Sequence, residues 1–298
     1  MTHTVSLCPL CHEHPYPLPK LPYYAYCSDC KLAWLWRFPK AIYGDNYYTG
    51  ASNVASRLFT PIATLLYRLR SAYVGLGKKK LWIDVGAGDG QFLKTVNAHQ
   101  KVGVEISPSG RVLMKQAGLK TMTDKQFLRL KNLQADVISF WHVLEHMENP
   151  WDYLRAAQKH LTHSGTLIIG VPNVDCLEYR LFGQRWFHSP QFHLWQFTPR
   201  AIFLLLKQTG FTIKSIDYWS IEHHLPCLLQ SCINATAGSD AVLHRFIKRG
   251  HTSGFTKKDL FWSLFWVTLG MPIVILLWVV GALTHKSGTV VIVARPRV

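Results

Sequence analysis

Acidic side chains are the scarce component of this chain: 17 Asp and Glu stand against 33 Lys and Arg in 298 residues, a formal net charge of +16. That shortage points to an anionic partner, either nucleic acid or an anionic membrane surface. Cysteine is sparse too, with seven unevenly placed residues, which excludes a disulfide scaffold. Four of the seven fall within the first 30 residues, a distribution expected of metal binding in a reducing compartment. The opening stretch Met1–Pro9 lacks the apolar run of a signal peptide, so a cytoplasmic location is expected. What is plentiful is hydrophobic residues, 48% of the chain, enough for one full α/β domain plus smaller modules.

The most informative stretch is Leu81-Trp82-Ile83-Asp84-Val85-Gly86-Ala87-Gly88-Asp89-Gly90. An apolar run reads as a buried parallel strand, carries an acid near its end, and enters a glycine turn followed by helical spacing from Gln91. Glycines let the backbone turn sharply and approach a ligand closely. The dinucleotide fingerprint is not met, because Gln91 occupies the place of its third glycine. Asp84 before the glycines suits a ligand bearing an ammonium and a sulfonium better than a pyrophosphate. A second strand, Val102–Ile106, bears Glu105 about 20 residues further on, where a ribose diol is held.

Two Cys-x-x-Cys knuckles, Cys8/Cys11 and Cys27/Cys30, are separated by 15 residues. This spacing supplies four thiolates to one tetrahedral zinc ion, with His12 and His14 as possible replacements for a thiolate. The segment between them is rich in Pro and Tyr and poor in aliphatics, so the metal is expected to supply folding energy. Residues 49–80 read as a helical linker, with Leu58, Ile62, Leu65, Leu66 and Leu69 forming a face that packs the zinc module onto the core. Further strands are expected at Leu119–Met122, Asp136–Trp141, Gly165–Asn173 and Phe211–Tyr218, alternating with helices at Ser109–Ala117, Trp151–Leu161 and Thr198–Gly210.

The motif Asp84-x-Gly86-x-Gly88-x-Gly90 with Glu105, together with Trp141-His142-Val-Leu-Glu-His146 and a following Asn149-Pro150, resembles the class I S-adenosylmethionine-dependent methyltransferases. The resemblance covers most of residues 1–217 and a last strand at Thr289–Ala294. It extends to the knuckle pair and a Tyr-rich segment at Tyr43–Tyr48. It implies a Rossmann-like α/β sheet of seven strands (residues 81–218 and 288–298), with a zinc ribbon at 1–48; residues 219–287, basic and then apolar, form an insertion that the resemblance does not cover. It also implies cofactor contacts from Asp84, Gly86, Gly88, Gly90, Glu105 and His142, with Asp124 at the adenine edge or as a helix cap. Arg185–Pro199 lies where the family builds its substrate lid. There His193 matches a His-Leu-x-x-Phe-Thr pattern and is the expected general base, with His188 nearby and His142 beside the sulfonium. Glu145 and His146 read as structural, a carboxylate complementing a helix dipole and a packed imidazole.

Leu260–Thr284 holds no charged residue and is long enough to enter a bilayer. Gly270-Met271-Pro272 breaks it, and the strand after it must rejoin the core sheet, so a re-entrant or monotopic hairpin on the cytoplasmic face is expected. A spanning helix and a buried helix pair are the alternatives. The basic stretch Leu243–Arg249 suits anionic headgroups. These features together suggest methyl transfer to a small-molecule or lipid-linked acceptor. Nucleic-acid methylation and a non-catalytic cofactor-binding membrane adaptor are the other readings. Base-amine methylation is weakened by the absence of an Asn/Asp-Pro-Pro-aromatic motif after the fourth strand. Oligomeric state is not legible.

Overall fold

The computed structural model describes residues 6–38, 54–75, 77–131, 133–188, 193–242 and 255–297, with backbone alone over 54–62. The Tyr-rich segment 43–48 and the basic stretch 243–249 lie outside the described residues. The chain opens with three short strands, β1 (Tyr16–Leu18), β2 (Leu21–Tyr26) and β3 (Ala33–Leu35), followed by helix α1 (Val54–Ser71). The alternating core then runs β4 (Lys79–Val85), α2 (Gln91–Thr95), β5 (Ala98–Val104), α3 (Pro108–Gln116), β6 (Lys120–Met122), α4 (Asp124–Arg129), β7 (Ala135–Trp141), α5 (Pro150–His160) and β8 (Leu161–Pro172). Next come α6 (Leu177–Phe182), β9 (Trp195–Gln196), α7 (Pro199–Gln208), β10 (Phe211–Asp217), α8 (Ile221–Thr236), α9 (Lys257–Val267), α10 (Met271–Leu283) and β11 (Thr289–Pro296).

Seven strands form one sheet in the order β10-β11-β8-β7-β4-β5-β6. The strands from β8 to β6 run parallel, and β11 is antiparallel to both β8 and β10. This is the expected Rossmann-like α/β sheet, with its strand order reversing between β4 and β7. Strands buried on both faces need continuous apolar runs, and Ile83, Val85, Ile138, Phe140, Leu167 and Ile169 supply them at near-zero exposure. Helix starts follow from local chemistry. Thr198 accepts from Ala201 N ahead of Pro199 in α7, and Ser107 does the same for Gly110 N in α3.

Two expectations need correction. Leu65 and Leu69 are exposed, so these two leucines do not lie on the inner face of α1. Tyr67 and Arg70 turn inward instead, with Tyr73 and Val74 just beyond the helix, and pack on Trp82, Phe92 and Trp141. Aromatic area outweighs the thinner aliphatic stripe there. Among the described residues α1 packs on α2 and α8, and the cysteine module is held by other elements. That module pairs β3 with β9 to make a second sheet, β1-β2-β3-β9. It is tied to α7 by Arg200 Nε donating to the Asp29 carbonyl at 2.5 Å, Gln208 Nε2 to that of Leu10 at 3.0 Å, and Thr198 Oγ1 to that of Lys31 at 3.0 Å.

No single helix is long and apolar enough to cross a membrane among the described residues; α9 and α10 together are, but bend by 64° at their junction. A Cβ at Gly270 would meet the Trp266 ring at 2.4 Å, so the bend depends on glycine there. Both helices pack on α8 through Val274, Trp266, Leu277 and Trp278. Their outer faces leave Leu260, Phe261, Leu264, Leu269 and Leu276 exposed.

Candidate active site

The glycine loop sits at the carboxyl edge of the parallel strands, where open α/β sheets bind ligands. Gly86 has φ 75°, and a Cβ there would lie 2.4 Å from Val143, so the loop is pressed directly under the exit from β7. Glu105, at the end of β5, accepts from Gly88 N at 2.9 Å and from Ser107 N at 2.8 Å. Two of its four lone-pair sites are thereby used and two remain for a diol. Burial raises its carboxyl above the ordinary value against those backbone donors. Asp84 lies buried beneath the loop and accepts from Ser139 Oγ at 2.6 Å, while Trp82 Nε1 donates to that same hydroxyl. Burial pushes Asp84 up to about 7, opposed by Ser139 and by Arg70.

Gly88 and Gly90 complete the loop, both with positive φ. Asp124 occupies the first turn of α4 at the end of β6, half-buried, and accepts weakly from Tyr153 OH at 3.5 Å. It is not the cap: Thr123 is, in a capping box with Gln126. Asp124 thus stands one residue inside the helix and two past the end of β6, on the same edge of the sheet as Glu105.

Beyond β7 the chain gathers a cluster of histidines. His142 has φ 50°, an uncommon conformation for a side chain of this kind, held by its N–H donating to the Gly170 carbonyl at 2.9 Å. Its ring lies 3.9 Å from that of His223 and 5.8 Å from that of His188, centroid to centroid. His188 in turn lies 5.8 Å from His193, and His193 4.7 Å from His146. Burial, reinforced by the neighbouring imidazoles, holds His142, His188 and His193 well below the ordinary histidine value.

The sequence reading assigned Glu145 to the first helical turn, but α5 starts only at Pro150. Leu144–His146 is a separate single turn that directs Glu145 inward, where burial pushes its carboxyl up to about 6 against His146.

Three members of this site were not foreseen. Arg70 of α1 donates to Glu222 of α8 at 2.6 Å, and its guanidinium lies 2.5 Å from His223 Nε2. Burial alone would raise Glu222, but His223 and Arg70 override it and hold the carboxyl at about 2. The guanidinium also lies 4.7 Å from the Trp141 ring and 5.2 Å from that of Phe92. The first turn of the insertion is therefore part of the site's wall, and adjacent His224 pairs with Glu178 and accepts from Gly288 N. A Glu-His-His triplet opening an otherwise apolar insertion was the available signal.

The four cysteines are brought together as expected, with donor atoms all within 4.8 Å of one another and Cys11 Sγ 3.5 Å from Cys27 Sγ. Tetrahedral bonds of about 2.3 Å need sulfurs about 3.8 Å apart, so the set fits zinc. The two knuckles have the same backbone: His12 N donates to Cys8 O as Lys31 N does to Cys27 O, and both His12 and Lys31 have positive φ.

A family model described as a methyltransferase domain matches residues 54–216. The chain belongs to that family, and its fold is the one shared by class I S-adenosylmethionine-dependent methyltransferases. An uncharacterized protein of Methanocaldococcus jannaschii is 28% identical over 131 residues, 43% of this chain; the chain spans 63% of that relative's length. Among solved structures, a chain of the Haloferax volcanii complex containing the Trm112 methyltransferase activator superposes with TM-score 0.51 at 11% identity, covering 86% of this chain and 100% of that one. The cyclase SpnF superposes with TM-score 0.50 at 18% identity, covering 82% of each. A cyclase on the same architecture illustrates that the fold alone does not specify the reaction.

Proposed function

We propose that this protein transfers the methyl group of S-adenosylmethionine to a small acceptor carried in or on a membrane. The observation that carries the reading is the pair of buried carboxylates flanking the glycine loop within the family-matched domain. Ionised Asp84 answers the cofactor's ammonium, and Glu105 its ribose hydroxyls. Asp124 stands where the adenine edge falls. His142, between the end of β7 and the Val143 that covers Gly86, borders the path from sulfonium to acceptor. Its unpartnered Nε2 is free to accept a hydrogen bond from the acceptor. Transfer is in-line attack on the methyl carbon; what the protein contributes is orientation and exclusion of water.

The membrane part of the proposal rests on α8. Its first turn borders the histidine cluster, and its later turns carry the bent apolar pair. The exposed leucines of α9 and α10 suit partial insertion at an interface, with the flanking lysines supplying attraction to anionic headgroups. Zinc in the four-cysteine site is structural in this reading.

The test is calorimetric titration of the detergent-solubilised full chain with S-adenosylhomocysteine, beside NADH, for the wild type and Glu105→Ala. Micromolar binding of the former alone, lost in the variant, is expected. Incubation with tritium-labelled cofactor and membrane extract then puts the label in the lipid phase. Label in RNA or in water-soluble products would overturn the membrane-borne acceptor, and no binding by zinc-loaded, folded protein would overturn methyl transfer.

A further inference from the structure

Resting on the methyl-transfer reading, we propose that Glu145, His146 and His193 form a second metal centre. It takes a divalent first-row transition ion and, through it, an oxygen of the acceptor. One carboxylate oxygen and one ring nitrogen from each histidine all lie within 4.8 Å of one another, and side-chain rotation closes such a set onto an ion at about 2.1 Å. Glu145 and His146 are neighbours in the turn after β7, and His193 comes from the lid just before β9.

The carboxylate is the strongest argument. Glu145 is 1% exposed, and neither of its oxygens has a hydrogen-bond partner. His142 Nδ1 is 3.6 Å away, outside hydrogen-bond reach, and it is the one ion-pair partner of Glu145 among the described residues. A buried acid with no donor is unfavourable unless something compensates it. Nδ1 of buried His193 is likewise unpartnered. A carboxylate with no donor, within 4.8 Å of a ring nitrogen from each of two histidines, is what a cation satisfies.

The surroundings hold this geometry. Tyr24 OH donates to the His193 carbonyl at 2.6 Å, and Trp195 Nε1 donates to the Met147 carbonyl at 2.7 Å. These bonds fasten the lid both to the cysteine module and to the loop that carries Glu145.

The donor set also selects the ion. Calcium and magnesium take oxygen ligands, often with several waters; two imidazoles and a carboxylate suit zinc, iron, manganese, cobalt or nickel, and three protein donors leave coordination positions open. An acceptor hydroxyl or enol bound there loses its proton to solvent. The oxygen then forms its bond to the methyl carbon as the carbon–sulfur bond breaks. The electron pair passes to sulfur, and S-adenosylhomocysteine leaves.

The experiment is cobalt(II) loading of the metal-stripped full chain, followed by absorption spectroscopy and metal analysis. Two equivalents are expected. One gives the intense thiolate charge-transfer band of the cysteine site, and the other gives a weaker visible band without it. Glu145→Gln and His146→Ala should each lose the second equivalent and its band while keeping the thiolate band and S-adenosylhomocysteine binding, which shows that the variants have folded. A single equivalent in the wild type, or a second one that survives both substitutions, would overturn the proposal. Failure of the wild type to bind S-adenosylhomocysteine would instead overturn the reading on which it rests.

Discussion

The two donor clusters of this molecule are built by opposite strategies. The cysteine set is closed: two knuckles of identical backbone each deliver two sulfurs, and no coordination position is left over. The glutamate–histidine set is open: three donors come from the β7 exit and the lid, with more histidines crowding one side. The first can hold an ion for shape alone, and the second can hold an ion and something else. They are not independent, because β9, which follows His193, is the fourth strand of the cysteine module's sheet. The closed site thus bears on the position of His193.

Removing the closed site should have the largest effect. A structural zinc contributes on the order of 10 kcal/mol to the fold it organises. Chelation, or Cys27→Ser, is expected to unfold residues 8–35 and abolish methyl transfer. S-adenosylhomocysteine should still bind, since Asp84 and Glu105 lie outside that module. Circular dichroism and calorimetry on the same sample check this; retained turnover would separate the two regions.

Asp84 gives a smaller effect, at the cofactor end of the open region. Its pKa of about 7 lies above the ordinary 3.8, so it binds more protons folded than unfolded. Its contribution to stability without ligand is therefore greatest at low pH and declines as pH rises from about 4 to about 7. A ligand ammonium prefers the ionised form, so affinity should rise with pH up to about 7 and then level off. Asp84→Asn should remove that slope and weaken S-adenosylhomocysteine by about 2 kcal/mol, roughly 30-fold at pH 8. An unchanged slope by calorimetry would mean that another group faces the ammonium.

Tyr24→Phe, at the joint between the regions, should have the least effect. It deletes the hydroxyl that Tyr24 donates to the His193 carbonyl, costing about 1 kcal/mol of stability in a thermal melt. It should also weaken the second cobalt equivalent while leaving the thiolate band intact.

The contrast between the clusters also explains what could be read in advance. The knuckles, the glycine loop and Glu105 are legible because each is a local pattern whose partners lie within a few residues or at a fixed strand-to-strand interval. Strand order follows from alternation of apolar runs and helices. Glu145 reads as a helix-dipole residue because no local pattern shows that α5 waits until Pro150, or that His193 and His223, about 50 and 80 positions away, come close to it. Arg70 was passed over for the leucines beside it, since helical periodicity scores aliphatics without knowing that Trp82, Phe92 and Trp141 wait on the other side. Glu222 and His223 were set aside with the insertion they open.

The position of β11 also affects how the chain is made. β10 is an edge strand whose one neighbour in the sheet is β11, and between them in synthesis come α8 and the bent apolar pair. While a ribosome is still making those helices, β8 and β10 each expose an unsatisfied ladder, a surface prone to pairing with the wrong strand. The slot between β8 and β10 closes only after the apolar pair has been synthesised, because β11 follows it in the chain.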